Sequence, residues 1–402
     1  MTQTMTQALL SVKHLKVAYP RQPQGNTIWA VDDVSFELKP GEKMGLVGES
    51  GCGKSTLGRA IMRLLPEGSQ VSGKAIFQDK SVFELNKAEL RQFRGEVVAL
   101  IFQDPMTRLD PLMTIGDHCL ETIKAHQPEL TKSAAKQLAL KTLETVKIPA
   151  TRWGQYPHEF SGGMRQRVAI ALALLLNPKV IVADEPTTSL DVTVSAEILT
   201  ELTRLCSERD MGLLLISHDL AMVGEYCDRI AVMYEGKMVE TGDVKSILYH
   251  PQHEYTKSLL NAALHLQAVA EDTADSSTEE KPILRVENLK QYFSLEANLI
   301  QQIFSQAKTT EIKAVDNISF DLYPGEILGL VGESGCGKST LSRTILQLLK
   351  PTAGKVEFLG QDLTTLSASA MRSQRRQLQM VFQDPHACLN PLMTVGESIA
   401  DP

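Results

Sequence analysis

Two stretches of this chain carry the same ten residues: Val47-Gly48-Glu49-Ser50-Gly51-Cys52-Gly53-Lys54-Ser55-Thr56 and Val331-Gly332-Glu333-Ser334-Gly335-Cys336-Gly337-Lys338-Ser339-Thr340. Each is a complete G-x-x-x-x-G-K-S loop, in which glycines let backbone N–H groups turn inward around phosphates. The helix that follows adds its positive N-terminal end. In that chemistry Lys54 neutralises the β- and γ-phosphates and the Ser55 hydroxyl ligates Mg²⁺. A chance Gly-rich turn is the competing reading, and two copies with full spacing oppose it. A second pair of groups ends the apolar run Val180-Ile181-Val182-Ala183-Asp184-Glu185. A buried strand end needs a reason to carry two carboxylates. Asp184 suits a Mg²⁺ partner, usually through water. Glu185 suits the base that orients and deprotonates an attacking water. An acidic turn after a strand is the plainer alternative. Phe160-Ser161-Gly162-Gly163-Met164-Arg165-Gln166-Arg167 sets Ser161 as the N-cap of an amphipathic helix, with glycines that let an anion come close. Alone, that is an ordinary capped helix.

The elements that must position these groups follow from the pattern. Strand-like stretches, Ser11 to Ala18 and Trp29 to Leu38, flank a turn-rich segment, and Pro40-Gly41-Glu42 leads into the apolar strand Met44 to Val47. The first loop comes next, then a helix from about Lys54 to Leu65, stopped by Pro66 and Gly68. Strand, loop and helix in that order is the context the motif requires. Pro128 to Lys147 and Ser161 to Leu176 carry helical periodicity, while Val180 to Ala183 and Leu213 to Ile216 read as buried parallel strands. The duplication is wider than the loop: Ala30–Leu57 and Ala314–Leu341 align without a gap and differ at only six positions. The expected organisation is a first domain over 9–266, a flexible acidic linker over 267–281 and a second domain over 282–402. Leu295 to Lys308 suits a short amphipathic helix, for local packing or for a membrane or partner contact.

Composition narrows the function classes. The chain has 402 residues, 43% hydrophobic and 22% charged, ordinary for two or three globular domains. A net charge of −7 argues against a nucleic-acid partner. Val168 to Leu176 is the longest apolar run, far short of the roughly 18 residues of a spanning helix. Met1 to Leu10 is Thr/Gln-rich, without a charged start and an apolar stretch. The expectation is a cytosolic chain, or one held at a membrane by something else. The cysteines Cys52, Cys119, Cys206, Cys227, Cys336 and Cys388 are scattered and read as reduced thiols.

Taken together, these residues resemble the nucleotide-binding subunits of ATP-binding-cassette (ABC) transporters, over nearly the whole chain and in six ordered motifs. The resemblance makes Lys54, Ser55 and Thr56 Walker A, Gln103 the Q-loop, Ser161-Gly162-Gly163 the signature, and Asp184-Glu185 Walker B. It makes Ser189-Leu190-Asp191 the D-loop and His218 the switch histidine, with Tyr19 as the aromatic that stacks on adenine. It implies a P-loop NTPase fold of the ABC-ATPase type, α/β, with a mixed or parallel core sheet, an antiparallel β subdomain and a helical subdomain. Catalysis would rest on Glu185, His218 and Gln103. ATP would be held by Gly48, Ser50, Gly51, Cys52, Gly53, Lys54, Ser55, Thr56 and Tyr19, with Asp191 and the signature. Mg²⁺ would be held by Ser55, Gln103 and Asp184. The second copy keeps Phe293 at the stacking position, then Gly332, Gly335, Gly337, Lys338, Ser339 and Thr340. Gln383 in Phe382-Gln383-Asp384-Pro385 completes it, with Ser339 and Gln383 as metal positions.

The variants Phe-Ser-Gly-Gly-Met-Arg-Gln-Arg, Phe102 to Pro111 and His250-Pro251-Gln252-His253-Glu254-Tyr255-Thr256 resemble the dipeptide/oligopeptide/nickel importer branch. Fused halves of this kind resemble glutathione and peptide importer ATPases. The implied partners are two integral membrane permeases and an extracytoplasmic solute-binding protein, with cassette–cassette dimerisation, at the cytoplasmic face of a bacterial membrane. Ala262 to Lys281 holds no cysteine, so no iron–sulfur cluster is expected. A second signature, Walker B and switch histidine would lie beyond residue 402. The second copy is therefore expected to be incomplete and loosely packed, and the chain to be a fragment, a truncation that homodimerises, or an inactive product. A soluble tandem cassette of the translation or DNA-repair type is the alternative. Its long charged helical linker or zinc modules have no counterpart here.

Overall fold

The computed structural model describes residues 8–20, 28–104, 108–188, 190–268, 281–294, 311–333, 335–382 and 389–400. Ser189, Gln383, the 295–308 segment and positions 269–280 of the expected linker lie outside the described residues. Two compact units divide the chain, Met1–Ala274 and Asp275–Pro402.

The first unit runs β1 (Leu10–Ala18), β2 (Val31–Leu38), β3 (Lys43–Val47), α1 (Lys54–Ile61), β4 (Gln70–Phe77), β5 (Lys80–Ser81), α2 (Lys87–Gln92), β6 (Val98–Ile101), α3 (Ile115–His126) and α4 (Lys132–Thr145). It continues through α5 (Gly162–Leu174), β7 (Val180–Asp184), α6 (Val192–Glu208), β8 (Gly212–Ser217), α7 (Leu220–Tyr226), β9 (Arg229–Tyr234), β10 (Lys237–Asp243), α8 (Val244–Tyr249) and α9 (Glu254–Ala268). One sheet has the order β10-β9-β3-β8-β7-β6, and the other is the antiparallel β2-β1-β4-β5. In the larger sheet β9, β3, β8, β7 and β6 are mutually parallel, and β10 pairs antiparallel to β9.

Unbroken apolar runs form these central strands because both of their faces are covered. Alternate side chains therefore enter two different cores. Ile181, Ala183, Leu213 and Leu215 join the helices α3 to α7 on one side, while Val180, Val182, Leu214 and Ile216 join α1 and the antiparallel sheet on the other. The helices begin where a polar side chain takes an unpaired N–H: Thr114 for α3, Thr131 for α4, Ser161 for α5, Asp191 for α6 and Asp219 for α7. The helix expected to reach Leu65 stops at Ile61, because Arg63 turns left-handed at φ 52°.

The second unit repeats the antiparallel layer as β12-β11-β13-β14, from β11 (Leu284–Ser294), β12 (Glu311–Leu322), β13 (Ala353–Phe358) and β14 (Gln361–Asp362). A helix over Lys338–Ile345 follows its loop, and Leu284, Val286, Leu289, Val356 and Phe358 centre its small core. The counterpart of β3 does not form a strand here, and Ile327 and Val331 are 97% and 93% exposed.

Close packing of β3 under α7 sets one constraint on the first unit. A Cβ on Gly45 would lie 1.9 Å from Val223 Cγ1, a stiff β-branched group on α7. Gly45→Ala should cost about 1–3 kcal/mol, read as a lower urea midpoint in tryptophan fluorescence. Trp29 and Trp153 are the chain's two tryptophans and both lie in this unit. An unchanged midpoint would show that α7 can yield freely.

Candidate active site

The C-terminal ends of four parallel strands deliver the chemistry to one edge of the sheet, where open α/β sheets bind ligands. The phosphate loop follows β3, Gln103 follows β6, Asp184 and Glu185 end β7, and His218 follows β8. Ser50, Gly51, Lys54, Ser55, Gln103 and Glu185 line one cavity of about 270 Å³. A second cavity of about 420 Å³ is lined by Glu185 as well, with Thr188 and His218.

The loop owes its shape to glycine at Gly53, whose φ is 103° and whose Cβ would meet the Ala30 carbonyl at 2.1 Å. Lys54 is buried and donates from Nζ to the Gly48 and Glu49 carbonyls at 2.6 and 2.8 Å. Cys52 Sγ lies 3.8 Å from the same ammonium; burial raises the thiol's pKa, which Lys54 partly offsets. Tyr19, 37% exposed, places its hydroxyl 3.0 Å from Thr56 Oγ1.

Ser55 Oγ donates to Asp184 Oδ1 at 2.7 Å. Glu185 Oε2 accepts from Gln103 Nε2 at 2.9 Å and Thr188 Oγ1 at 2.8 Å, and His218 Nδ1 stands 3.5 Å away. Glu185 itself is left-handed, at φ 46°, with its N–H held by the Ile216 carbonyl at 3.0 Å. A non-glycine residue kept in that region costs stability, which the bond to Ile216 helps to offset. Among the described residues no group of three His, Cys, Asp or Glu side chains could hold a metal. The oxygens of Ser55, Asp184 and Gln103 instead match a hard cation that keeps waters and shares phosphates, which is how Mg²⁺ is bound beside nucleotides.

Not every expected site residue gathers here. Ser161 is an exposed cap, accepting from Met164 N–H at 3.4 Å, and Asp191 caps α6 by accepting from Val194 N–H at 2.9 Å. Neither lines the phosphate-loop cavity, and the start of α5 packs beside the residues around Asp191: a Cβ on Gly162 would meet Leu190 Cδ2 at 3.2 Å, and one on Gly163 would meet Val194 Cγ1 at 2.5 Å. In the second unit Lys338 Nζ donates to the Gly332 and Glu333 carbonyls, both at 2.6 Å. Phe293 is 40% exposed and pairs with Ile312 across β11 and β12, while Ser339 is exposed. Sequence reading had missed Thr188, though it stands three residues after Glu185, the spacing at which a turn returns a side chain.

Asp184 carries a testable electrostatic cost. It is 4% exposed, and burial raises its carboxyl pKa above the ordinary range, against the smaller lowering effect of Ser55. A folded-state pKa above the unfolded value means that stability falls as pH rises from about 4, the unfolded value, through the folded one. Asn cannot ionise and escapes that loss. Asp184→Asn should therefore raise the urea midpoint at pH 7, with the gap closing toward pH 4, while Mg²⁺-dependent nucleotide affinity drops. A midpoint at or below the parent's at pH 7 would sink the desolvation argument.

Comparison with known proteins meets this geometry. The ABC transporter family profile matches residues 31–188 and 315–401. The glutathione import ATP-binding protein GsiA of Escherichia coli K12 is 42% identical over 98% of this chain and 67% of its own length. Its namesake in Salmonella typhimurium LT2 shows the same 42%, 98% and 67%. The chain thus spans about two thirds of these relatives (67%). Among solved structures, the dimeric ATP-binding cassette MJ0796 with ADP and Pi is 26% identical with a TM-score of 0.52, covering 58% of this chain and 98% of its own. The cbiO1 protein of Clostridium perfringens, part of the ABC transporter complex cbiONQ, is 25% identical with a TM-score of 0.52, covering 65% and 99%. A duplicated phosphate loop, a carboxylate pair at a parallel strand end and these relatives agree: the chain belongs to the ABC transporter family, as one of its ATP-binding, ATP-hydrolysing proteins.

Proposed function

We propose that this chain couples ATP hydrolysis to import of peptides or related small solutes, glutathione being the solute its relatives' name indicates and di- or oligopeptides or nickel the others of that branch. The observation that carries it is the convergence of Lys54, Ser55, Asp184, Glu185, Gln103 and His218 on adjoining strand ends. In this reading residues 9–266 form a full cassette, 267–281 a linker, and 282–402 the N-terminal part of a second cassette. No helix among the described residues is long and apolar enough to cross a membrane. Transport then needs permease subunits and, on the far side, a solute-binding protein.

Lys54 neutralises the phosphate oxygens of ATP, and the inward-turned N–H groups of the loop share that charge. Bound Mg²⁺ adds a Lewis-acid charge beside those oxygens. Gln103 gives its Nε2 to Glu185, which leaves its carbonyl oxygen for the cation. Glu185, held by Gln103 and Thr188, keeps lone pairs for the attacking water and takes its proton. His218 orients that base from 3.5 Å. Tyr19 offers its ring to adenine, as Phe293 does in the second copy, where Lys338 and Ser339 take the phosphate and metal positions and Gln383 completes the set. The signature Ser161-Gly162-Gly163 presents an exposed helix N-terminus to a nucleotide held by another cassette, and Asp191 braces the same surface. Solved neighbours described as dimeric support pairing of this kind.

Glu185→Gln should lower phosphate release by about 10²–10⁴-fold while nucleotide binding persists, and Lys54→Ala should lose binding at this loop. Mant-ATP titration and a phosphate-release assay, run with and without Mg²⁺, separate the two. Unchanged turnover in Glu185→Gln would remove Glu185 as the base.

A further inference from the structure

The phosphate loop is held from a distance. The backbone N–H of Glu49 donates to the phenolic oxygen of Tyr255 at 2.9 Å, across 206 residues of sequence. Tyr255 lies in the first turn of α9, and its ring packs on Tyr234 at the end of β9, centroids 4.3 Å apart and planes tilted by 36°. The start of α9 is itself tied to the sheet: Glu240 on β10 accepts from Gln252 N–H at 2.8 Å and His253 N–H at 3.0 Å. Thr256, next to Tyr255, is fully buried. The hydroxyl of Tyr255 is thus the outward end of a rigid chain of contacts running from β10 through α9 to the loop.

Residue Glu49 is gripped at both ends. Its N–H goes to Tyr255, and its carbonyl receives Lys54 Nζ and, more loosely, Cys52 N–H at 3.3 Å. The three donors of the Lys54 ammonium are directed at the Gly48 and Glu49 carbonyls and, more distantly, at Cys52 Sγ, so drawing the ammonium toward a phosphate oxygen loosens its hold on the loop. When the ammonium turns to phosphate, the Tyr255 bond remains as a long-range tie on the first half of the loop. We propose that Tyr255 is a positioning residue for the ATP site: its hydroxyl fixes the Glu49 peptide so that the loop stays ordered while Lys54 is engaged by phosphate. This rests on the ATP-site reading above, and it makes α9, the last described element of the first unit, part of the nucleotide site. The Glu333 peptide of the second loop has Lys338 on its carbonyl, with no tyrosine hydroxyl on its N–H among the described contacts.

Tyr255→Phe keeps the ring and its stacking and deletes the hydroxyl alone. The experiment uses the full chain carrying Lys338→Ala, so that mant-ATP reports the first loop only. Tyr255→Phe should weaken mant-ATP binding about three- to tenfold, the range of one hydrogen bond. Amide exchange in the peptide spanning residues 46–52 should speed up, with the thermal midpoint unchanged. The same change at exposed Tyr249 on α8 should alter none of these. Parental affinity with parental exchange, or a lowered midpoint with parental affinity, overturns the proposal, as does equal weakening by Tyr249→Phe. If Lys54→Ala in the same background binds mant-ATP like its parent, the ATP-site reading itself fails, which is a different result from a silent Tyr255→Phe.

Discussion

The carboxylate of Glu185 is the point on which the parallel sheet converges. Oxygen Oε2 alone meets Gln103 from the end of β6, Thr188 from the turn after β7, and His218 from the end of β8. Such a meeting requires β6, β7 and β8 to lie side by side in parallel and in register, because only then do three successive strand ends face one spot. The left-handed backbone at Glu185 is the local cost of aiming that side chain, offset by a bond from its N–H to Ile216 on the neighbouring strand. Its neighbour Asp184 is buried and takes the Ser55 hydroxyl instead. Two adjacent acids therefore meet two environments, which is how one strand end can serve both a cation and a water.

The repeated loop separates what ten residues dictate from what the surroundings add. Gly51 and Gly53 have φ of 85° and 103°, while Gly335 and Gly337 have 83° and 101°. Lys54 and Lys338 reach the same two carbonyls within a few tenths of an ångström. The curl of the loop is thus a local property of its glycines and lysine. Burial is not. Lys54 is 4% exposed and Ser55 faces Asp184, whereas Lys338 is half-buried and Ser339 has no carboxylate partner among the described residues. The partner of Ser55 arrives on β7, 129 residues later in the chain.

That division explains what could be read in advance. The loop, β7 and β8 were legible because glycine spacing and unbroken apolar runs are local signals. Helix α3 was not singled out. Its buried Ile115, Cys119 and Ile123 keep helical spacing, but His118 and Thr122 between them blur the periodicity. The break between α2 and β6 was invisible for a different reason. Gly95 has φ 109°, and a Cβ there would strike Leu176 and His126, contacts made by residues distant in sequence. The run from His250 to Thr256 could be recognised as a family marker, yet no rule of spacing tells that Tyr255 ends on the backbone of Glu49.

The placement of Ser161 bears on why hydrolysis and movement are linked under the proposed function. Helix α5 offers an N-terminus whose own cap bond is long, 3.4 Å, and whose serine is exposed. A helix N-terminus of this kind favours an anion. In the first unit it is set beside Leu190 and Val194 instead of the phosphate loop. In that reading, phosphates held by Lys54 would gain a second helix end from another surface brought against them. Binding energy spent on that approach would be available for closure, and loss of the γ-phosphate would remove the anion that both helix ends share. A cassette acting this way would convert the charge of one phosphoryl group into the position of an entire domain.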